Sequence, residues 1–151
     1  MLLVEVRELE INDVDKVMEI ENLCFISPWK KQDIINELYE NQYANLLVAL
    51  TNGVVVGYVD YWVTFDSATI CQIAVHPSYQ RNGVGSILFE EVIKDCYAKK
   101  VFTITLEVRE SNVKGINFYK KHGFISCLKK ENYYSNGENA IYMMRGVAIN
   151  G

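Results

Sequence analysis

The stretch Ile73-Ala74-Val75-His76-Pro77-Ser78-Tyr79-Gln80-Arg81-Asn82-Gly83-Val84-Gly85-Ser86 constrains this chain more than any other. It reads as an apolar strand ending at His76-Pro77, a short polar loop, and glycines that open a long helix. A strand feeding a helix through such a junction asks for a sheet with a helix layer against it, which is an α/β arrangement. The N-terminus of a helix carries unpaired N–H groups and about half a positive charge. Glycine lets a ligand come close to that backbone, and a pyrophosphate fits there. The same glycines also suit close packing of helix on sheet, and the local pattern leaves both uses open. A phosphate-binding loop of the G-x-x-x-x-G-K-S/T kind is absent, and Leu88 stands where a dinucleotide fingerprint needs its third glycine.

The rest of the chain supplies the other elements. Leu2–Arg7 has the make-up of a strand. Asn12 and Asp13 offer a cap to a helix carrying Val14, Val17, Met18 and Cys24, and Ser27-Pro28 reads as the start of a second one. Leu46–Leu50 and Val54–Val63 are strand-like runs joined by Thr51-Asn52-Gly53, a strong hairpin signal. Thr69–Val75 follows as a strand, then a helix from Gly83 to Lys99, in which Glu90 and Lys94 are spaced to pair. Phe102–Val108 is a further strand, and Ser111 or Asn112 caps a short helix ending at Gly123. Phe124–Leu128 and Ala140–Met144 close the order β-α-α-β-β-β-α-β-α-β-β, a mixed sheet in one domain spanning 1–151.

With 50 % hydrophobic residues the chain can bury a sizeable core. The net charge of −4 and the lack of a basic stripe argue against direct nucleic-acid binding. An anionic ligand must therefore be held locally, by oriented backbone. Cys24, Cys71, Cys96 and Cys127 form no C-x-x-C pair, and only His76 and His122 offer imidazoles, so reduced thiols and no metal are expected. Met1–Val4 is too short for a leader's apolar core, and no apolar run reaches membrane-spanning length. A cytoplasmic monomer with no membrane partner is the expectation.

Two further segments bear on function: Leu106-Glu107-Val108-Arg109-Glu110-Ser111-Asn112 at a strand's end, and Asn117-Phe118-Tyr119-Lys120-Lys121-His122-Gly123-Phe124 in the short helix. Together with Gln80-x-x-Gly83-x-Gly85 and the element order, they resemble the GNAT superfamily of acetyltransferases. Cys24-Phe25-x-x-Pro28-Trp29 and Asn132-Tyr133-Tyr134 before Ala140-Ile141 are similar to its branch that acetylates the N-terminal alanine of small-subunit ribosomal protein S-eighteen.

The resemblance implies a GNAT-like mixed sheet flanked by helices, acetyl-CoA as donor and a ribosomal protein's N-terminal peptide as acceptor. It implies that Arg81, Asn82, Gly83, Val84, Gly85 and Ser86 line the pyrophosphate. Backbone N–H groups near Ile73, Ala74 and Val75 would stabilise the oxyanion, and Asn112 would bond the pantetheine unless it only caps its helix. Glu107 reads from the residues alone as a solvated strand carboxylate and Tyr119 as a packed aromatic; the resemblance makes them general base and general acid. Trp29, Tyr133 and Tyr134 would wall the peptide groove. His76, where many relatives carry an acidic residue, reads as a strand-end residue without a catalytic part. An α-amine with pKa near 8 costs about 1 kcal/mol to deprotonate at neutral pH, and a lysine about 4.6 kcal/mol, so an N-terminal acceptor needs only a modest base. Another N-terminus, a lysine or a small amine remains open as acceptor, and so does a non-catalytic acyl-CoA sensor.

Overall fold

The computed structural model describes residues 2–147. β1 (Glu5–Glu8) leads through a 3₁₀ turn at Ile11–Asp13 into α1 (Val14–Cys24) and α2 (Lys31–Tyr39). β2 (Ala44–Thr51), β3 (Val54–Thr64) and β4 (Ser67–Val75) form a meander, and α3 (Val84–Ala98) crosses over to β5 (Thr103–Arg109). α4 (Val113–Lys121), β6 (Ile125–Lys130) and β7 (Ala140–Gly146) complete the chain. The seven strands form one sheet in the order β1-β2-β3-β4-β5-β7-β6. Every pairing is antiparallel except β4 with β5. The β2–β3 hairpin turns at Asn52 and Gly53, both at positive φ (51° and 75°), as a two-residue turn between twisted strands requires.

Strand alternation sends apolar side chains to both faces of the sheet. On one face Val14, Val17 and Ile20 of α1 and Ile34 of α2 pack on Val48, Leu50 and Tyr58. On the other, Leu88, Phe89, Val92 and Cys96 of α3 pack on Val59, Tyr61, Ile104 and Leu106.

α1 starts at Val14 as expected, but its expected side-chain cap and the expected start of α2 need correction. Asp13 does not cap α1 directly: its carboxylate accepts the Glu10 N–H (2.8 Å) and both guanidinium nitrogens of Arg7 (2.7 and 3.0 Å). The hydrogen bonds from Arg7 hold that carboxyl below the usual range. α2 begins at Lys31, later than Ser27-Pro28, with Asp33 accepting the Lys30 N–H at 2.8 Å. The intervening residues stay out of the helix because Trp29 gives its N–H to Glu21 (2.8 Å), a buried side chain of α1. Lys94 pairs with Glu91 (3.4 Å) and not with Glu90.

Glu21 also accepts hydrogen bonds from the Tyr58 hydroxyl and from Gln72 Nε2 (2.8 Å). It thereby ties α1, β3, β4 and the α1–α2 connection together. Glu21→Ala leaves the buried Tyr58 hydroxyl and the half-buried Trp29 N–H and Gln72 amide without their acceptor, a buried one costing about 1–3 kcal/mol. Urea unfolding is expected to show a loss of about 3 kcal/mol or more. A loss below about 1 kcal/mol would mean that the donors find other acceptors.

Candidate active site

β4 and β5 pair only over Ser67–Thr69 and Thr103–Thr105, and beyond these rungs they separate. The wedge so opened is part of a cavity of about 880 Å³. Hydrogen-bonded and free pairs alternate along the antiparallel β3–β4 ladder. His76 donates to Val56 O (2.8 Å), which puts Ala74 in the bonded phase with Tyr58 and leaves Ile73 and Val75 directing their N–H groups away from β3, into the wedge. The Val75 carbonyl is already taken by Cys24 Sγ (3.2 Å) and Gln80 Nε2 (3.0 Å). Of the three residues expected to supply donors, Ile73 and Val75 keep theirs free. Ala74 lines the cavity, but its N–H is spent on β3.

One end of the cavity is the start of α3. Arg81 and Gly83 both take positive φ (66° and 79°), which folds the loop back on itself. No side chain caps the helix, so the N–H groups of its first turn are unpartnered beside the cavity that Gly83, Val84, Gly85 and Ser86 line. Gln80 braces the loop: it bonds Val75 O on one side and accepts from Lys114 Nζ (2.8 Å) on the other. Asn82 is turned away from the cavity, its amide donating to Tyr79 O (3.3 Å) and Gln80 O (3.1 Å). Asn82, expected with Arg81–Ser86 to line the pyrophosphate, is not on the cavity wall, and its side chain shapes the loop. Asn112 lines the cavity, and its Oδ1 accepts the Gly115 N–H (2.9 Å), so the side chain caps α4. His76 Nδ1 accepts the Ser78 N–H (3.1 Å) and caps the turn after β4.

Glu107 and Tyr119 line the same cavity. Glu107 alternates with the buried Leu106 and Val108, so its carboxylate lies on the sheet face opposite their core. It forms an ion pair with Lys130 (2.8 Å), whose ammonium also lies 4.9 Å from the Tyr142 ring and 5.4 Å from Tyr133. The hydrogen bond to Glu107 raises the Lys130 pKa. Tyr119 packs edge-on against Phe118 and Phe124, with centroids at 5.5 and 5.7 Å. Burial pushes its phenol well above the ordinary value, and nearby Tyr134 adds to the shift. Its hydroxyl bonds no described residue, which leaves the proton available to whatever enters the cavity.

Trp29, Tyr133 and Tyr134 stand on the remaining walls with Phe25. Arg109 fixes the loop carrying the two tyrosines. It lies 4.0 Å from the Tyr134 ring and forms an ion pair with Glu138 (3.0 Å), which also accepts the Ser111 N–H (2.8 Å). Burial raises the Tyr134 phenol to about 12. Sequence reasoning missed Lys130, Glu21 and the bracing role of Gln80. A positive residue close before Asn132-Tyr133-Tyr134 was visible, but nothing local pointed it at Glu107.

Residues 14–124 match the family model of the acetyltransferase (GNAT) family. A relative in Bacillus subtilis (strain 168), provisionally named a ribosomal protein bS18-alanine N-acetyltransferase, is 40 % identical over 139 residues, 91 % of this chain and 92 % of the relative. The ribosomal protein bS18-alanine N-acetyltransferase of Escherichia coli (strain K12) is 33 % identical over 147 residues, covering 95 % and 98 %. The crystal structure of the Escherichia coli enzyme of that activity superposes with a TM-score of 0.88 at 30 % identity, over 99 % of this chain and 97 % of that one. Seven strands opened between β4 and β5, an uncapped glycine-led helix at the opening, and a match across most of the length agree: this chain belongs to the GNAT family of acetyltransferases.

Proposed function

We propose that this protein transfers the acetyl group of acetyl-CoA to the N-terminal alanine amine of ribosomal protein bS18. The observation that carries the proposal is one cavity lined by the start of α3, the β4–β5 wedge, a carboxylate and a phenol. The names and lengthwise match of the bacterial relatives support the acceptor.

Acetyl-CoA supplies an acetyl group activated as a thioester. The free N–H groups at the start of α3 suit its pyrophosphate, with the helix dipole adding to the attraction. Ile73 and Val75 direct N–H groups toward the charge that develops on the acetyl oxygen; a donor of that kind is worth about 3 kcal/mol in the transition state. Glu107 takes the proton of the α-ammonium, directly or through a water. Lys130 faces this carboxylate and is the group that the incoming ammonium has to displace or share it with. Tyr119 gives its proton to the departing sulfur. With the phenol raised, that transfer is uphill against a free thiol of pKa near 8.5, but the burial that raises the phenol raises a thiol beside it too.

The cradle makes its own prediction. A Cβ at Gly83 meets nothing within 4 Å, yet the backbone there sits at φ 79°. A branched residue is strained by roughly 1–2 kcal/mol in that conformation and shifts the loop to escape it. Gly83→Val is expected to weaken acetyl-CoA binding about tenfold by calorimetry with an unchanged circular dichroism spectrum. Unchanged affinity would remove the cradle.

The proposal as a whole is tested by thiol release from acetyl-CoA with two matched peptides. One begins with the free N-terminal alanine of bS18; the other has that terminus blocked and carries an internal lysine. Turnover of the first alone is the expected result. Turnover of the lysine peptide alone overturns the acceptor, and binding of acetyl-CoA without turnover of either peptide favours a sensor.

A further inference from the structure

A second cluster of chemically capable side chains borders the cavity, within electrostatic reach of Glu107. Glu37 of α2, Asp60 of β3 and Cys71 of β4 bring a carboxylate oxygen each and a sulfur within 4.8 Å of one another. Asp60 is fully buried, and no N–H or hydroxyl of the described residues reaches its carboxylate oxygens; burial, with a hydrogen bond to the Glu37 carboxyl, pushes its pKa up to about 9. An ionised carboxylate so placed has no compensation for its lost hydration. Cys71 occupies the irregular position where the β3–β4 register slips between Asp60 and Tyr61, and it lines the cavity.

We propose that Glu37, Asp60 and Cys71 form a binding site for a divalent transition-metal ion of the zinc type. One sulfur and two oxygens form a donor set that zinc accepts in tetrahedral geometry, with a fourth position left for water. Bond lengths of about 2.3 Å to sulfur and 2.0 Å to oxygen require the three atoms to draw in by about an ångström at most. Glu37 is already oriented from outside the cluster, by Trp62 Nε1 (2.6 Å) and Asn41 Nδ2 (2.9 Å), as metal-binding carboxylates usually are. Binding releases the thiol proton and any proton shared between the two carboxyl groups, so uptake strengthens with pH. No ligand motif marks the site in the sequence because its three members come from three separate elements.

Cobalt(II) is the probe. Added to the chelator-treated protein, it is expected to give a thiolate-to-cobalt charge-transfer band in the near ultraviolet and visible bands of a tetrahedral ion, both removed by zinc. Zinc is expected to raise the melting temperature of the parent protein. The bands are expected to disappear in Cys71→Ser and Asp60→Asn and to persist in Cys127→Ser. Should Cys71→Ser fail to fold, Asp60→Asn and the zinc-dependent melting shift still decide. Absence of the charge-transfer band in the parent protein overturns the site, as does its persistence in Cys71→Ser. A protein that takes up no cobalt, with Asp60→Asn as stable as the parent, holds only a proton shared between two carboxyl groups. A bound ion is also expected to slow acetyl transfer, since Cys71 lines the cavity. That slowing rests on the proposed activity, whereas cobalt uptake does not.

Discussion

Tyr119→Phe is expected to lower turnover about 10²-fold while leaving acetyl-CoA affinity within about twofold. The substitution keeps the ring that packs on Phe118 and Phe124, so the fold and the cavity wall stay as they are. Only the hydroxyl is lost, and no described residue depends on it for a hydrogen bond. The effect therefore isolates proton donation to the leaving sulfur. Steady-state kinetics at saturating acceptor, beside calorimetry with acetyl-CoA, make the measurement. Parent-like turnover would mean that the thiolate leaves unassisted or takes its proton from solvent.

Glu107→Gln carries the second large effect. Below pH 8 an N-terminal amine is mostly ammonium and needs a proton acceptor; above it, free amine is plentiful. The variant should thus lose about 10²-fold in kcat/KM at the acid end of the profile and progressively less toward alkaline pH. Its structure adds a second consequence. Lys130 loses its counter-charge and is left as a bare ammonium where another ammonium has to arrive. Pairing Glu107→Gln with Lys130→Met is expected to restore much of the acceptor's KM and none of the lost kcat. A pH profile of unchanged shape in the single variant would take the base role from Glu107. Recovery of kcat in the double variant would make repulsion, and not proton removal, the origin of the loss.

The element order could be read from the sequence because its signals are local. Apolar periodicity, the Asn52-Gly53 turn and the glycines before α3 each act over a few residues, and each stands where those signals put it. The start of α2 was misread because a distant group decides it: the carboxylate of Glu21 takes the Trp29 N–H and delays the helix. Glu107, Gly83, Gly85 and Asn112 gathered on the cavity because each lies next to a strand end or helix start, whereas Tyr119 reaches it from the last turn of α4. Lys130 escaped because β7 separates its strand from that of Glu107, so the pair exists only through the sheet order. The free donors of Ile73 and Val75 are backbone atoms, which any residue type supplies, and so they leave no trace in composition.

The brief pairing of β4 with β5 has a mechanical side. β1–β4 and β5, β7 and β6 are two half-sheets joined by three rungs at one end of their shared border. On the proposed function, a ligand seated between them would act as a keystone, taking up main-chain donors on one half and pressing against side chains of the other. Donor binding should then stiffen the seam as a whole, slowing amide exchange in β4 and β5 together, including at residues that never touch the ligand. On the proposed function, the opening that would admit the substrate is also the seam along which the two half-sheets part, and occupancy would close it.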